Sequence, residues 1–454
     1  MKVFKFGGAS VNSVERIKNV GNILKQYEGE QLMVIISAMG KTTNALEKVA
    51  TAFFEGRQEE ALQLFDLVKQ HHLTTAKFLL VTHYNETLEQ LVNFFTEAEW
   101  LLHDKPVKEY DYYYDQVVCI GELLSTCIMS AYLNEAGVLN KLIDVRDVLR
   151  TDDNFRDAGV DWEVTEKQLK LAVDGWGGKK TEGKMTDDSW QLTDEEKSKN
   201  ISTQPTTTNH QRPTIIITQG FIGSTDANES TTLGREGSDY SAAIFANLLN
   251  AESLTIWKDV EGVMSADPKE YTDATFISEL SYNEVIEMAY YGAQVIHPKT
   301  IKPLQNKQIP LHVKSFLNPD KPGTIISRKN GKNLPPIKVI KQQQVLVHLH
   351  SQDFSFVGEQ PISHLYKIFE HLHIKPNLLQ TGAISIQICL DDHAEKIDQL
   401  AVAASELFDV QLERGLTLLT IRHYTNELLD TMILGKEVEL MQKTKETVQV
   451  LFVG

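Results

Sequence analysis

Thr231-Thr232-Leu233-Gly234-Arg235-Glu236-Gly237-Ser238-Asp239 follows a short apolar strand and leads into an apolar helical pattern over 238–249. The stretch sets glycines, hydroxyl side chains, one arginine and one aspartate at the turn into a helix. Unpaired backbone N–H groups and the positive end of the helix dipole meet at such a turn, so anions bind there. Arg235 adds a planar fork that matches a carboxylate or a phosphate. The segment therefore points to a small anionic substrate at a strand–helix junction.

The surrounding pattern places that junction in an α/β fold. Residues 1–6 read as a strand broken by Gly7-Gly8. Val14, Ile17, Val20, Leu24 and Tyr27 then recur at helical spacing behind Ser13, a good N-cap. The run 32–36 is continuously apolar, as in a strand buried on both faces, and a second helical pattern begins at Asn44. Residues 214–218 and 253–257 read as further buried strands. Strands alternating with helices predict a mainly parallel sheet sandwiched by helices. Residues 55–135 are helical in pattern and form a long excursion from the sheet. From 174 to 212 Lys, Thr, Asp, Gly and Asn dominate without periodicity, which predicts a flexible surface insertion. A Pro-, Gly- and Lys-rich stretch over 318–338 reads as a domain boundary. Beyond it, alternation at Val345–Leu349 and Ile384–Leu390, helical stripes over 362–372 and 394–407, a strand over 416–421, a helix over 426–441 and a last strand over 448–453 predict a small antiparallel sheet with helices on one face.

At 454 residues the chain has room for two to four domains, and its net charge of −17 argues against nucleic-acid or anionic-membrane partners. Cations for an anionic ligand must then be concentrated locally. Three cysteines, none in C-x-x-C spacing, fit buried thiols in a reducing compartment. The N-terminus has no charged region followed by an apolar one, and no apolar run approaches the ~18 residues of a membrane span, so the expected location is the cytoplasm.

Three further loops carry possible chemistry. Lys5-Phe6-Gly7-Gly8-Ala9-Ser10 lies at a strand end, where open α/β sheets bind ligands and glycines allow close backbone approach. It is not the G-x-x-x-x-G-K-[ST] phosphate loop. Ser37-Ala38-Met39-Gly40-Lys41-Thr42-Thr43-Asn44 has the same setting, with Thr43 or Asn44 as the alternative reading of a plain helix cap. Trp257-Lys258-Asp259-Val260-Glu261-Gly262-Val263-Met264-Ser265-Ala266-Asp267-Pro268-Lys269 is a charged loop suited either to a nucleotide with Mg²⁺ or to solvent. Ser281-Tyr282-Asn283-Glu284 reads as a capping box, and His297, in Gly292-Ala293-Gln294-Val295-Ile296-His297-Pro298, reads as structural.

Taken in order, K-F-G-G-A-S, I-S-A-M-G-K-T-T-N, G-E-L-L-S-T, T-Q-G-F-I-G, T-T-L-G-R-E-G-S-D-Y-S-A-A, W-K-D-V-E-G-V-M-S-A-D-P and Y-G-A-Q-V-I-H-P resemble the aspartate kinases (aspartokinases). The resemblance spans 1–330 outside the insertion, and the C-terminal region is similar to the family's ACT regulatory domains. It implies the amino-acid kinase fold over 1–318, a linker over 319–341, a first ACT domain over 342–407 and a second, shortened one over 408–454, with no homoserine dehydrogenase domain. The implied reaction is ATP-dependent phosphorylation of the side-chain carboxylate of L-aspartate, the first step toward lysine, threonine and methionine. By the same resemblance, Lys5 and Asp239 are catalytic. Thr43, Glu122, Arg235, Ser238 and Asp239 bind aspartate, Arg235 on the α-carboxylate and Glu122 on the α-ammonium. Lys5, Gly7, Gly8, Ser10, Lys258, Asp259, Met264, Lys269 and Gln294 contact ATP, whose phosphates Mg²⁺ bridges without dedicated protein ligands. An amino-acid effector at the ACT region and a homodimer or higher homo-oligomer through it are further expectations.

The sequence departs from the family at several points. Glu236 replaces the middle glycine of G-R-G-G and is expected to face away from the anion site. Lys258 replaces a threonine and Gln294 a lysine, so Lys258 is expected to restore the charge lost at Gln294. Asn377 and Gly382 stand where lysine-inhibited relatives carry an acid and a serine. Alternatives to aspartate as acceptor are another amino-acid kinase, such as a glutamate 5-kinase, or a weakly catalytic ACT-based amino-acid sensor.

Overall fold

The computed structural model describes residues 1–174, 214–293, 296–329, 331 and 334–454, so Gln294 and the expected insertion from 175 onward lie outside the described residues. The chain forms two compact units, 1–260 with 306–321, and 261–305 with 322–454.

In the first unit β1 (Lys2–Phe6) leads to α1 (Val14–Lys25), and the Ser13 hydroxyl accepts the Arg16 N–H as its cap. Next come β2 (Leu32–Ile36), buried at every position as its apolar run predicts, and α2 (Thr42–Phe54). The helical excursion consists of α3 (Gln58–Leu79), α4 (Tyr84–His103), α5 (Tyr110–Val118) and α6 (Ile120–Glu135). Then follow β3 (Asn140–Ile143), α7 (Trp162–Val173), β4 (Ile215–Gln219), a hairpin of β5 (Ile222–Ser224) and β6 (Ser230–Thr232), α8 (Gly237–Leu248) and β7 (Ser253–Lys258). The chain then traverses β8 (Val263–Met264), β9 (Phe276–Ile277), β10 (Glu279–Ser281), α9 (Tyr282–Tyr290) and α10 (Pro298–Lys307), and β11 (Leu311–Ser315) belongs again to the first unit.

The strands of the first unit run parallel in the order β11-β7-β1-β2-β4-β3. β1 pairs with β2 on one side and β7 on the other, so connections leave its neighbourhood in opposite directions. Ligands of open α/β sheets sit outside the carboxyl ends of strands at such a switch. Beneath it Phe6 stacks on Trp257 with ring centroids 5.7 Å apart, and Phe4 meets the Trp257 ring edge-on.

In the second unit β12 (Thr324–Ser327) pairs with β10. The C-terminal elements are β13 (Ile337–Ser351), α11 (Glu359–Leu372), β14 (Leu378–Thr381), β15 (Ser385–Asp391), α12 (Ala394–Ala404), β16 (Phe408–Arg422), α13 (Asn426–Ile433), β17 (Val438–Lys443) and β18 (Thr447–Val453). They build an antiparallel sheet, β14-β15-β13-β16-β18-β17. An irregularity between Lys341 and Gln344 divides β13, with Gln343 at φ 54°. The segment from Gln344 packs its apolar face against Leu365 and Phe369 of α11 and Ile397 and Leu400 of α12. The opposite half of β16 packs with β18 on Leu429 of α13.

Two sequence expectations differ here. The helix expected over 426–441 ends at Ile433; Gly435 turns at φ 75°, and the following residues pair with β18 because their alternation suits a strand. The stretch 319–341 is not continuous linker: from Ile337 it is strand, hydrogen-bonded along Leu418–Arg422. The C-terminal half thereby gains a strand that its own length does not provide.

Glu284 takes a role the capping-box reading did not supply. Ser281 Oγ accepts the Glu284 N–H at 3.1 Å, but the carboxylate turns to Arg422, with Nε–Oε1 at 2.6 Å and a second contact to Oε2 at 2.8 Å. The two side chains are 7% and 9% exposed. Burial alone would raise the Glu284 carboxyl; the Arg422 guanidinium outweighs it and holds the carboxyl below its ordinary range. Removing one partner strands a buried charge. Arg422→Met is expected to destabilise the protein by about 3–5 kcal/mol in denaturant unfolding, and Arg422→Met with Glu284→Met to recover most of that loss.

Candidate active site

The register of the parallel strands brings the loops together. Lys5 faces Ile35 on β2 and Ile256 on β7, and Phe6 faces Ile36 and Trp257. The loops leaving β1, β2 and β7 therefore start at one level, and Gln219 of β4 lies beside Ile36. They enclose a cavity of about 620 Å³ whose lining residues all belong to the first unit. Among them are Lys5, Gly7, Gly8 and Ser10, Thr43, Glu122, Arg235, Ser238 and Asp239, and Lys258 and Asp259. Met264, on β8, and Lys269 belong to the second unit and are not among the lining residues.

Glycines in this site serve protein contacts as well as ligand access. A Cβ on Gly8 would stand 2.6 Å from the Ala38 carbonyl oxygen, so this glycine lets the first two loops pack backbone to backbone. The Gly40 N–H donates to the Gly8 carbonyl at 3.0 Å. A Cβ on Gly220 would stand 2.8 Å from that of Ser238, so Gly220 lets the first turn of α8 approach the end of β4.

Two buried carboxylates have opposite electrostatics. Asp239, in the first turn of α8, stands 2.6 Å from Lys5 Nζ, with side chains 5% and 12% exposed. Burial would raise its carboxyl, but the charges of Lys5 and then Lys258 outweigh that and hold it below the ordinary value. Glu122, in the first turn of α6, accepts the Ala38 N–H at 3.3 Å through Oε1. Its Oε2 has no hydrogen-bond partner among the described residues, and burial is the main reason its carboxyl is pushed up to about 8. An unsatisfied buried carboxylate oxygen at a cavity wall suits an ammonium ligand. The Ser10 hydroxyl is likewise buried without a partner.

The turn 231–239 has the shape its sequence predicts. Gly234 has φ 76° and Glu236 φ 55°, and α8 begins at Gly237. Arg235 is exposed and forms no ion pair among the described residues. Glu236 occupies the N-cap position, half-exposed, and borders the cavity; the left-handed region costs a non-glycine residue about 1–2 kcal/mol. Thr43 lies one residue inside α2, so it is not the helix cap that the alternative reading offered.

Sequence reasoning missed Asp115, Tyr114 and Arg156. Buried Asp115 on α5 accepts Thr232 N–H at 2.8 Å and Thr232 Oγ1–H at 2.7 Å, fastening the strand that enters the anion turn. The signal was slight: Asp115 lies seven residues, two helical turns, before Glu122. Tyr114 and Arg156 line the same cavity.

A lysine, an arginine and a helix N-terminus facing a cavity with an unsatisfied buried carboxylate suit a zwitterionic acid beside a phosphoryl group. Comparison with known proteins agrees in kind. Residues 1–315 match the model of the amino acid kinase family. The chain belongs to that family. This amino acid kinase is 31% identical over 403 residues to aspartokinase 1, chloroplastic, of Arabidopsis thaliana, covering 86% of its own length and 63% of the relative's. It is 29% identical over 453 residues to lysine-sensitive aspartokinase 3 of Escherichia coli, covering 96% and 89%. The crystal structure of E. coli aspartokinase III in complex with aspartate and ADP superposes with a TM-score of 0.75 at 26% identity, over 100% of this chain and 96% of that one.

The raised Glu122 carboxyl makes a prediction that needs no ligand. Between its ordinary 4.5 and about 8 the folded kinase keeps a proton that the unfolded chain has lost. Folding stability from this group therefore falls as pH rises through that window. The thermal midpoint of the wild type should drop more between pH 5 and pH 8.5 than that of Glu122→Gln, which has nothing to ionise there.

Proposed function

We propose that this amino acid kinase is an aspartate kinase, transferring a phosphoryl group from ATP to the side-chain carboxylate of L-aspartate to give 4-phospho-L-aspartate and ADP. The observation that carries the reading is the unsatisfied buried carboxylate of Glu122 in one cavity with Arg235 and the Lys5–Asp239 pair. Glu122 receives the α-ammonium and Arg235 the α-carboxylate; the reacting carboxylate is then directed at the strand ends. That nucleophile is already ionised near neutral pH and needs no strong base, so positioning and charge neutralisation do the work. Asp239 orients Lys5 toward the transferring phosphoryl group. Thr43 and Ser238 border the aspartate side, and Gly7, Gly8 and Ser10 the phosphate side.

The residues present fit a nucleotide, since the Ser10 hydroxyl lacks a partner and Lys5, Lys258 and Arg235 concentrate positive charge in an acidic chain. When bound, Mg²⁺ supplies charge to the phosphates. We assign Lys258 and Asp259 to nucleotide contact. Residues 1–318 form the catalytic part, and the region from 342 an ACT-type regulatory part that takes an amino-acid effector and joins protomers. Asn377, where lysine-inhibited relatives carry an acid, bonds instead to Lys341, Gln344 and Asp391, which supports a loss of lysine feedback.

A hydroxamate assay with ATP, Mg²⁺ and aspartate against glutamate tests the activity, and turnover of glutamate in preference to aspartate would overturn it. Lys5→Met is expected to lower kcat about 10²–10³-fold, because charge developing on the transferred group loses its main partner. Glu236→Gly should lower the KM for aspartate and raise the thermal midpoint, since it removes both a carboxylate beside the anion turn and a strained left-handed residue. An unchanged KM would show that the Glu236 carboxylate does not act on the substrate.

A further inference from the structure

Arg156 stands at φ 68°, which arginine rarely adopts. Backbone strain of this kind persists where the surroundings impose it, and it concentrates at functional sites. The surroundings do impose it. The Arg156 N–H donates to the buried carboxylate of Asp115 at 3.0 Å, the same Oδ2 that receives the Thr232 N–H. The Ala158 N–H donates to the Thr232 carbonyl at 3.0 Å. Asp152 Oδ1 accepts the Asn154 and Gly159 N–H groups, so the loop is closed on itself.

This loop packs against the anion turn. A Cβ on Gly234 would meet Asp157 Oδ1 at 2.7 Å and the Arg156 carbonyl oxygen at 3.1 Å. Arg156 is thereby held beside the residue that precedes Arg235, and both arginines line the cavity. The Arg156 guanidinium lies over the Tyr114 ring, 4.4 Å from its centroid, and Tyr114 lines the cavity too. Its carboxylate partners are loose: Asp111 at 3.1 Å and Glu47 at 3.9 Å are 54% and 46% exposed. Ion pairs that exposed contribute little, so a substrate carboxylate competes with them readily.

We propose that Arg156 is a second substrate-reading arginine, which together with Arg235 holds the carboxylate side of an acidic amino acid. The inference rests on the aspartate kinase reading and extends it to a residue outside the motifs that suggested it. A planar guanidinium stacked on a tyrosine keeps its fork in one plane, which suits a carboxylate and would not be reproduced by lysine. Asp115 is the positioning residue, because its one carboxylate fixes both the Arg156 backbone and the strand that carries the turn of Arg235.

The test is a set of variants assayed for both substrates. Arg156→Gly is expected to raise the KM for aspartate about 10–100-fold, the size of a lost charge-assisted contact, with the KM for ATP unchanged within about twofold. Its thermal midpoint should hold or rise, because glycine adopts φ 68° freely. Arg156→Lys should fall between Arg156→Gly and the wild type, and it serves as the readout if the glycine variant does not fold. Aspartate KM values within twofold of the wild type in both variants would overturn the proposal. So would KM values for both substrates rising together with a fall in the thermal midpoint, which is the outcome of a merely structural arginine. A wild type that turns over ATP with another acceptor instead of aspartate would defeat the functional reading itself, an outcome visible before any variant is made.

Discussion

The ion pair between Lys5 and Asp239 joins the end of the central strand to the first turn of α8 across more than two hundred residues of sequence. Burial penalises the ionised Asp239, and Lys5, with Lys258 adding a second positive charge, outweighs that and holds its carboxyl below the ordinary range. A buried ion pair is weak evidence of stability, and this one is better read as a fixture. It sets which way the lysine points and how near α8 comes to β1. The turn 231–239, the N-terminus of α8 and the loop after β1 all border the cavity around that contact.

Close backbone packing makes the same arrangement possible. Gly8 lets the β1 loop lie on the β2 loop, Gly220 lets α8 approach β4, and Gly234 lets the 152–159 loop lie on the anion turn. In each case an added Cβ would stand within 3 Å of another atom of the protein. Read from sequence, the Gly7-Gly8 pair suggested close approach to a ligand. The structure adds that Gly8 is already engaged by the chain's own carbonyls, so the ligand is met by a surface of packed loops rather than by one flexible turn.

This explains what the sequence disclosed and what it did not. Periodicity located the buried strands, because a fully apolar five-residue run such as 32–36 has few other uses. The loops after β1 and before α8 drew notice to Lys5 and Arg235 because a glycine marks each strand or helix end, whereas Glu122 and the pairing of Lys5 with Asp239 were expected only from the resemblance to the aspartate kinases. Arg156 and Asp115 gave no such mark. Arg156 sits in an irregular loop whose importance comes from packing against a segment nearly eighty residues later. Asp115 lies inside a tyrosine-rich helix beside Asp111, where an acid reads as a solvated face. The Arg422–Glu284 pair was hidden for a related reason: a glutamate in the first turn of a helix already has a sufficient local explanation as a cap partner. The overlong helix at 426–441 shows the complementary error, in which apolar residues shared by a helix and the strand after it were merged into one period.

Glu122 and Asp239 border one cavity with opposite electrostatics. Both are carboxylates in first helical turns, both are buried, and both border one cavity. One has a lysine beside it that holds its carboxyl below the ordinary range; the other accepts one backbone N–H, and burial pushes its carboxyl up to about 8. A site that separates two like groups in this way distinguishes its ligands by charge. Lys5 and Asp239 are held against one another at one wall of the cavity. Elsewhere in the cavity wall, Glu122 Oε2 has no hydrogen-bond partner among the described residues. On the proposed aspartate reading, an acid lacking an amino group would leave Glu122 Oε2 unsatisfied, and an amine lacking a carboxylate would leave Arg235 without its partner. On that reading the discrimination resides less in the shape of the cavity than in two polar groups that the fold leaves incomplete.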